Sequence, residues 1–189
     1  MSNSLHIGLY GGTFDPIHKG HCHLIQQLLS RGIVDELVVT PVGNPWMRPQ
    51  APFASGEDRL AMVKLAVESL PKDIQMKVQV NESEVRRVGN TYTIDTVLEL
   101  KAQRPDAEIA LILGSDAYSS IEKWHRSAEL LKLVKVFVVA REGVGFDIDA
   151  LAISSTMIRE KIFANQDVST ELPESVWSYI KERNLYASK

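Results

Sequence analysis

Short apolar runs alternate with amphipathic stretches along the whole chain. Leu5 to Leu9 forms a first run, closed by Gly11-Gly12. Leu24, Ile25, Leu28 and Leu29 then recur at helical spacing, and Gly32 stands where a helix C-terminus favours glycine. Glu36 to Thr40 predicts a strand ended by Pro41. From Pro41 to Ala54, four prolines and no period predict a loop longer than most strand–helix connections. Ser55 has the chemistry of an N-cap for a helix carrying Leu60, Val63, Val67 and Leu70. Met76 to Val80 alternates as a strand does. Thr93 to Gln103 predicts a helix with Thr93 as its N-cap, and Glu108 to Leu113 and Lys135 to Ala140 predict buried strands. Ser154-Ser155-Thr156 opens a helix through Phe163, and Pro173 begins a last one reaching about Asn184.

Strand–helix alternation with short connections predicts an α/β fold, a doubly wound parallel sheet covered on both faces, with a C-terminal helical segment. Such sheets take ligands beyond the carboxyl ends of their strands, and the segments from Gly11, Pro41 and Gly114 onward each follow a predicted strand. A length of 189 residues suits a single domain over 1–189, with the helical subregion starting at about residue 154. A 44% hydrophobic and 24% charged composition excludes wholesale disorder. The formal charge is −3 and Lys and Arg are scattered, which argues against a dedicated nucleic-acid binder. No apolar run approaches the ~20 residues that cross a bilayer, and no basic n-region precedes one, so neither a membrane span nor a signal peptide is expected. The one cysteine, Cys22, cannot form an internal disulfide; a cytoplasmic chain with a packed Cys22 is expected. His6, within a strand, is expected to be structural.

Two strings carry the chemistry. In Gly11-Gly12-Thr13-Phe14-Asp15-Pro16-Ile17-His18-Lys19-Gly20-His21, paired glycines let backbone approach a ligand, and His18 and His21 fall three apart at a helix start, on one face. A helix N-terminus has unpaired N–H groups and a positive dipole end, which suit phosphate, and imidazoles there can donate to phosphate oxygens. In Ile153-Ser154-Ser155-Thr156-Met157-Ile158-Arg159, the hydroxyl residues cap a second helix and Arg159, one turn in, can reach the same anion.

The first string closely resembles the fingerprint GGTFDPxHxGH of the HxGH nucleotidyltransferases, specifically the bacterial nicotinate-nucleotide adenylyltransferases, and the second resembles that family's ISSTxIR phosphate motif. The pantetheine-phosphate branch carries Thr in place of the first His, so His18 speaks against it. The resemblance implies a Rossmann-like fold and adenylyl transfer from ATP to nicotinate mononucleotide, with Mg²⁺ delivered on ATP and no resident metal. It implies His18 and His21 as the catalytic pair and Gly11, Gly12, Thr13 and Phe14 as backbone presented to the nucleotides. Arg48, Gly114, Asp116, Ser154, Ser155, Thr156 and Arg159 would complete the nucleotide site, and Thr93, Trp124 and Arg141 would face the acceptor, Trp124 by stacking on the pyridine ring. Asp15 is a weaker candidate for a metal neighbour. Two departures stand out. Asn44-Pro45-Trp46-Met47-Arg48 replaces the family's Pro-Pro-His-Lys, with Arg48 in the lysine's place, and Arg141 is followed by Glu142-Gly143 where the family has Pro-Gly. Another acceptor, such as nicotinamide mononucleotide, and a non-catalytic nucleotide-binding module therefore stay open as alternatives. A synthetase-like reading of the histidine motif is remote, because the chain is short and acidic. Nothing in the sequence decides whether the chain forms a homo-oligomer.

Overall fold

The computed structural model describes residues 4–45, 50–139 and 151–187. Five parallel strands form one sheet in the order β3-β2-β1-β4-β5, namely β1 (His6–Gly12), β2 (Glu36–Pro41), β3 (Val78–Val80), β4 (Glu108–Gly114) and β5 (Val134–Val139). Helices α1 (Lys19–Ser30), α2 (Gly56–Glu68) and two single turns, α3 (Lys72–Gln75) and α4 (Ser83–Arg86), connect the strands on one side of β1 or follow them. Then α5 (Thr93–Gln103), α6 (Ser115–Tyr118) and α7 (Ser127–Leu133) serve the other side, and α8 (Ser155–Phe163) and α9 (Glu174–Glu182) complete the described chain. This is the Rossmann-like α/β fold expected from the alternation.

Strand parity sorts the core into two layers. Ile7 and Leu9 of β1 and Ile109, Leu111 and Leu113 of β4 pack with Ile94, Val97 and Leu100 of α5 and Leu130 of α7. Tyr10, Leu37, Val39, Ala110 and Ile112 face the opposite way, toward Ile25 and Leu28 of α1, Met62 and Val63 of α2, Ile158 of α8 and Val176 of α9. The register pairs Ile7 with Ile109 and Leu9 with Leu111, so neighbouring strands put the same parity on the same face. A central parallel strand is apolar on both faces for this reason.

Three local expectations fail. The strand expected to be buried over Lys135 to Ala140 is β5, which lies at an edge of the sheet and has no buried residue from Val134 to Val139. The strand expected over Met76 to Val80 begins only at Val78: Pro71 starts the single turn α3, and Met76 caps its end with its side chain 82% exposed. The N-cap of α5 is Tyr92, not Thr93, which is already the first helical residue. Ser55 and Ser154 do cap α2 and α8, accepting from the backbone N–H of Asp58 at 3.1 Å and of Met157 at 3.2 Å. Among the described residues no helix is long and apolar enough to cross a membrane.

Candidate functional site

The strand order changes direction beside β1, since β2 and β3 lie on one side of it and β4 and β5 on the other. Ligands of doubly wound sheets sit at this switch point, beyond the carboxyl ends. Gly11 and Gly12 end β1, and Gly114 ends β4. After Gly12 the chain turns sharply. Phe14 has φ of 50°, a left-handed conformation unusual for an aromatic residue. Its ring folds back over Gly12, where a Cβ would lie 2.8 Å from Phe14 Cζ, so a side chain here would displace the Phe14 ring. The Phe14 ring also meets Tyr10 and His21 edge-on, at centroid distances of 5.4 and 5.1 Å.

His18 is the N-cap of α1 and His21 its third helical residue. Their rings stack at 3.7 Å with 26° between planes. His18 is nearly buried, while His21 is half-exposed. The backbone N–H of His18 donates to His21 Nδ1 at 3.1 Å. That bond leaves the proton of a neutral His21 ring on Nε2.

The two strings meet beside Gly20. A Cβ there would lie 2.9 Å from His18 Nδ1, so the missing side chain leaves room for the His18 ring, and Ile153, just before the serines, lies in ordinary contact range at 3.7 Å. Ser155 Oγ donates to the Pro16 carbonyl at 2.9 Å. Arg159 donates to the Asp15 carbonyl at 2.6 Å and to Thr156 Oγ1 at 3.2 Å, beneath the Phe53 ring at 4.7 Å. Neither α1 nor α8 carries an acidic residue in its first turn, so no carboxylate of that turn offsets either positive helix end.

On the other side, Thr93 opens α5 and no side chain caps that helix. His125 stacks on Tyr92 at 4.1 Å, which brings Trp124 and Thr93 to one neighbourhood. Trp124 is half-buried and packs against the α5–α7 layer. Asp116 lies exposed in the first turn of α6. Arg48 and Arg141 fall outside the described residues.

Three buried polar groups tie this region together; sequence reasoning missed Arg59 and Glu84, and offered Asp15 only as a metal neighbour. Arg59 of α2 is 1% exposed and donates to the carbonyls of Thr13 at 2.8 Å, Val42 at 2.6 Å and Gly43 at 3.0 Å. Asp15 is buried, with its carboxylate taken by Phe53 N–H, Ala54 N–H and the Tyr186 hydroxyl. Glu84 is buried beside the Gly43 turn and accepts from Thr96 Oγ1 at 2.9 Å; burial pushes its carboxyl above the ordinary range. Only the apolar spacing around Arg59 hinted that it faces inward. Burial likewise pushes the Cys22 thiol up to about 11, as a packed side chain requires. A separate cavity of about 400 Å³ lies away from this site, between α8 and α9, lined by Ile162, Trp177 and Ile180 among others.

A Rossmann-like sheet with stacked imidazoles on one helix start and a serine-capped helix against them defines a nucleotidyltransferase, and residues 9–161 match the cytidylyltransferase-like family. Proteins of this class work with a divalent metal ion. The chain is 36% identical to a probable nicotinate-nucleotide adenylyltransferase of Dehalococcoides mccartyi strain CBDB1, over 98% of this chain and 99% of that one. It is 35% identical to a probable nicotinate-nucleotide adenylyltransferase of Saccharopolyspora erythraea, over 98% and 92% of the two chains. Its fold superposes on the nicotinic acid mononucleotide adenylyltransferase of Plasmodium falciparum complexed with NaAD, with a TM-score of 0.76 at 21% identity, covering 96% and 97%. The chain belongs to the nicotinate-nucleotide adenylyltransferase family.

Proposed function

We propose that this chain transfers the adenylyl group of ATP to nicotinate mononucleotide, within one catalytic domain that includes α8 and α9. An oxygen of the acceptor's 5′-phosphate attacks the α-phosphorus of ATP. The bond from that phosphorus to the α–β bridging oxygen breaks, pyrophosphate leaves, and deamido-NAD forms. The nucleophile is already an anion, so positioning and charge stabilisation are the main tasks. His18 and His21, their rings stacked, stabilise charge on the reacting phosphates. Gly11, Gly12, Thr13 and Phe14 present backbone to both nucleotides, and Gly114 and Asp116 border the adenosine. Ser154, Ser155, Thr156, Arg159 and Arg48 hold the phosphates. Thr93 at the uncapped start of α5, Trp124 and Arg141 receive the nicotinate nucleotide. Mg²⁺ enters on ATP as part of the substrate; among the described residues no cluster of three or more His, Cys, Asp or Glu side chains could hold an ion. The reaction takes place in the cytoplasm and involves no nucleic acid.

The observation that carries this reading is the closure of the serine motif onto the histidine motif, through Ser155 on the Pro16 carbonyl and Arg159 on the Asp15 carbonyl. Purified protein with ATP, Mg²⁺ and nicotinate mononucleotide should release pyrophosphate. His21→Ala should lower kcat by roughly 10²-fold, the scale of one charge-stabilising donor. Unchanged turnover in both His18→Ala and His21→Ala would remove the mechanism. Equal turnover with nicotinamide mononucleotide would move the acceptor assignment to the amide.

A further inference from the structure

Phe53 lies 69% exposed in the segment between β2 and α2, yet its ring is not loose. Its backbone N–H donates to Asp15 Oδ2 at 2.8 Å, and that of the next residue, Ala54, donates to Asp15 Oδ1 at 3.1 Å. These two bonds fix the base of the Phe53 side chain from a buried carboxylate. The ring then packs against the Arg159 guanidinium, whose Cζ stands 4.7 Å from the ring centroid.

Arg159 arrives from α8, with its side chain only 20% exposed. Nη1 donates to the Asp15 carbonyl at 2.6 Å and Nη2 to Thr156 Oγ1 at 3.2 Å. A guanidinium has five N–H donors, and these bonds use two of them. Asp15 Oδ2 stands 4.0 Å from Nη1, too far for a hydrogen bond, so the carboxylate attracts the group without setting its plane. Two acceptors leave the planar group free to rotate about the line that joins them. A ring face against the guanidinium opposes that rotation, and the contact consumes no N–H group.

We infer that Phe53 is a positioning residue for the reaction: its ring fixes the plane of the Arg159 guanidinium and so presents the unused N–H donors to the phosphates of ATP. The inference rests on the proposed role of Arg159 at the nucleotide. Asp15 sets both sides of the contact, because its carboxylate holds the Phe53 backbone and its carbonyl holds Arg159. The segment after β2 and the start of α8 are thereby joined at the cation itself, where a small loss of orientation weakens a preorganised phosphate site.

The test compares Phe53→Leu, which stays apolar but loses the π face, with Phe53→Trp, which keeps one. Calorimetry with Mg²⁺ present gives Kd for ATP and for inorganic tripolyphosphate, which has the phosphates and no base. Phe53→Leu should raise both Kd values roughly threefold, the scale of an exposed cation–π contact. KM for ATP should follow, with kcat within about twofold and KM for nicotinate mononucleotide unchanged, the pattern of lost uniform binding. Phe53→Trp should keep wild-type affinity for both probes. In an Arg159→Ala background, Phe53→Leu should add nothing. An exposed ring carries little of the fold, so Tm should move by less than about 2 °C in either variant. Phe163→Leu is the matched control, since Phe163 is 63% exposed at the far end of α8, and it should leave both Kd values unchanged. Wild-type affinity in Phe53→Leu, an equal loss with Arg159 absent, the same loss in Phe163→Leu, or a loss confined to ATP would each overturn the inference; the last would place the ring at the base. Wild-type affinity for both probes in Arg159→Ala would instead remove the reading of Arg159, and the inference with it. If the wild-type protein releases no pyrophosphate, the proposed reaction fails separately, while the binding comparison still judges the role of Phe53.

Discussion

Replacing Arg59 by methionine tests whether the buried guanidinium holds the ligand edge together. Methionine keeps much of the stem volume and removes the donors. A buried ion pair can often be exchanged for apolar residues at little cost, but only when both partners go. Here the partners are the backbone carbonyls of Thr13, Val42 and Gly43, which no side-chain substitution removes. Each orphaned acceptor costs about 1–3 kcal/mol, and local relaxation with water entry recovers part of that. Losing one partner of a buried charged contact costs about 3–5 kcal/mol, and this is the expected loss. For a domain of this size about 1 kcal/mol moves Tm by roughly 2–4 °C, so Arg59→Met should melt about 6–20 °C below wild type. Arg59→Lys keeps the charge but offers a single tip in place of a planar fork, and should fall between the two. Thermal unfolding followed by circular dichroism measures all three proteins. A methionine variant melting within about 2 °C of wild type would show that the three carbonyls do not depend on Arg59, and the account of the clamp would be wrong.

At Gly43 a Cβ would stand 1.9 Å from the Glu84 carbonyl oxygen and 2.6 Å from its carbon, both backbone atoms. Gly43→Ala should therefore lower Tm by about 10 °C or more, or prevent folding, and a soluble variant with wild-type Tm would contradict the packing of the turn. The Cys22 thiol, raised from 9.0 to about 11, should be about one part in a thousand ionised at pH 8 in the folded protein. Alkylation at pH 8 should accordingly be slow until denaturant is added. The same shift has a sign for stability. Folding favours the neutral thiol, so the contribution is whole below pH 9 and is lost as pH climbs toward 11. Melting profiles of wild type and Cys22→Ala should diverge over that interval, and identical alkaline profiles would refute the burial argument.

What the sequence makes legible is local. The period of Leu24 to Leu29 identifies an apolar helix face, the apolar runs of β1 and β4 identify strands buried on both faces, and the sheet then follows from strand–helix alternation. Ser55 and Ser154 were readable as caps because their chemistry acts within three residues. Thr93 misled by the same logic: a hydroxyl residue at a helix start resembles a cap, whereas Tyr92 holds that place and no side chain fills the role. Met76 misled because alternation over five residues cannot sense that Pro71 winds the preceding turn into a helix. The polar connections escaped altogether. Asp15 meets Tyr186 across 171 residues and Arg59 meets Thr13 across 46, and no periodicity encodes such pairs.

Those connections share one electrostatic logic. In the proposed reaction this loop accepts a triphosphate, and carbonyl oxygens facing that charge would oppose it. In the segment from Thr13 to Pro16, three carbonyls have dedicated donors: Arg59 covers Thr13, Arg159 covers Asp15, and Ser155 covers Pro16. Two of the donors are cationic and two come from α8, so the serine motif does more than offer a helix end to an anion. It neutralises the back of the histidine loop. The Asp15 carboxylate, the one full negative charge in that segment, is held among two backbone N–H groups and a tyrosine hydroxyl. The positive helix ends of α1 and α8 are then opposed neither by these three carbonyls nor by acidic residues in their own first turns. Uncovering any one carbonyl, at Arg59, Arg159 or Ser155, should therefore weaken triphosphate affinity even where the substituted residue never touches the nucleotide.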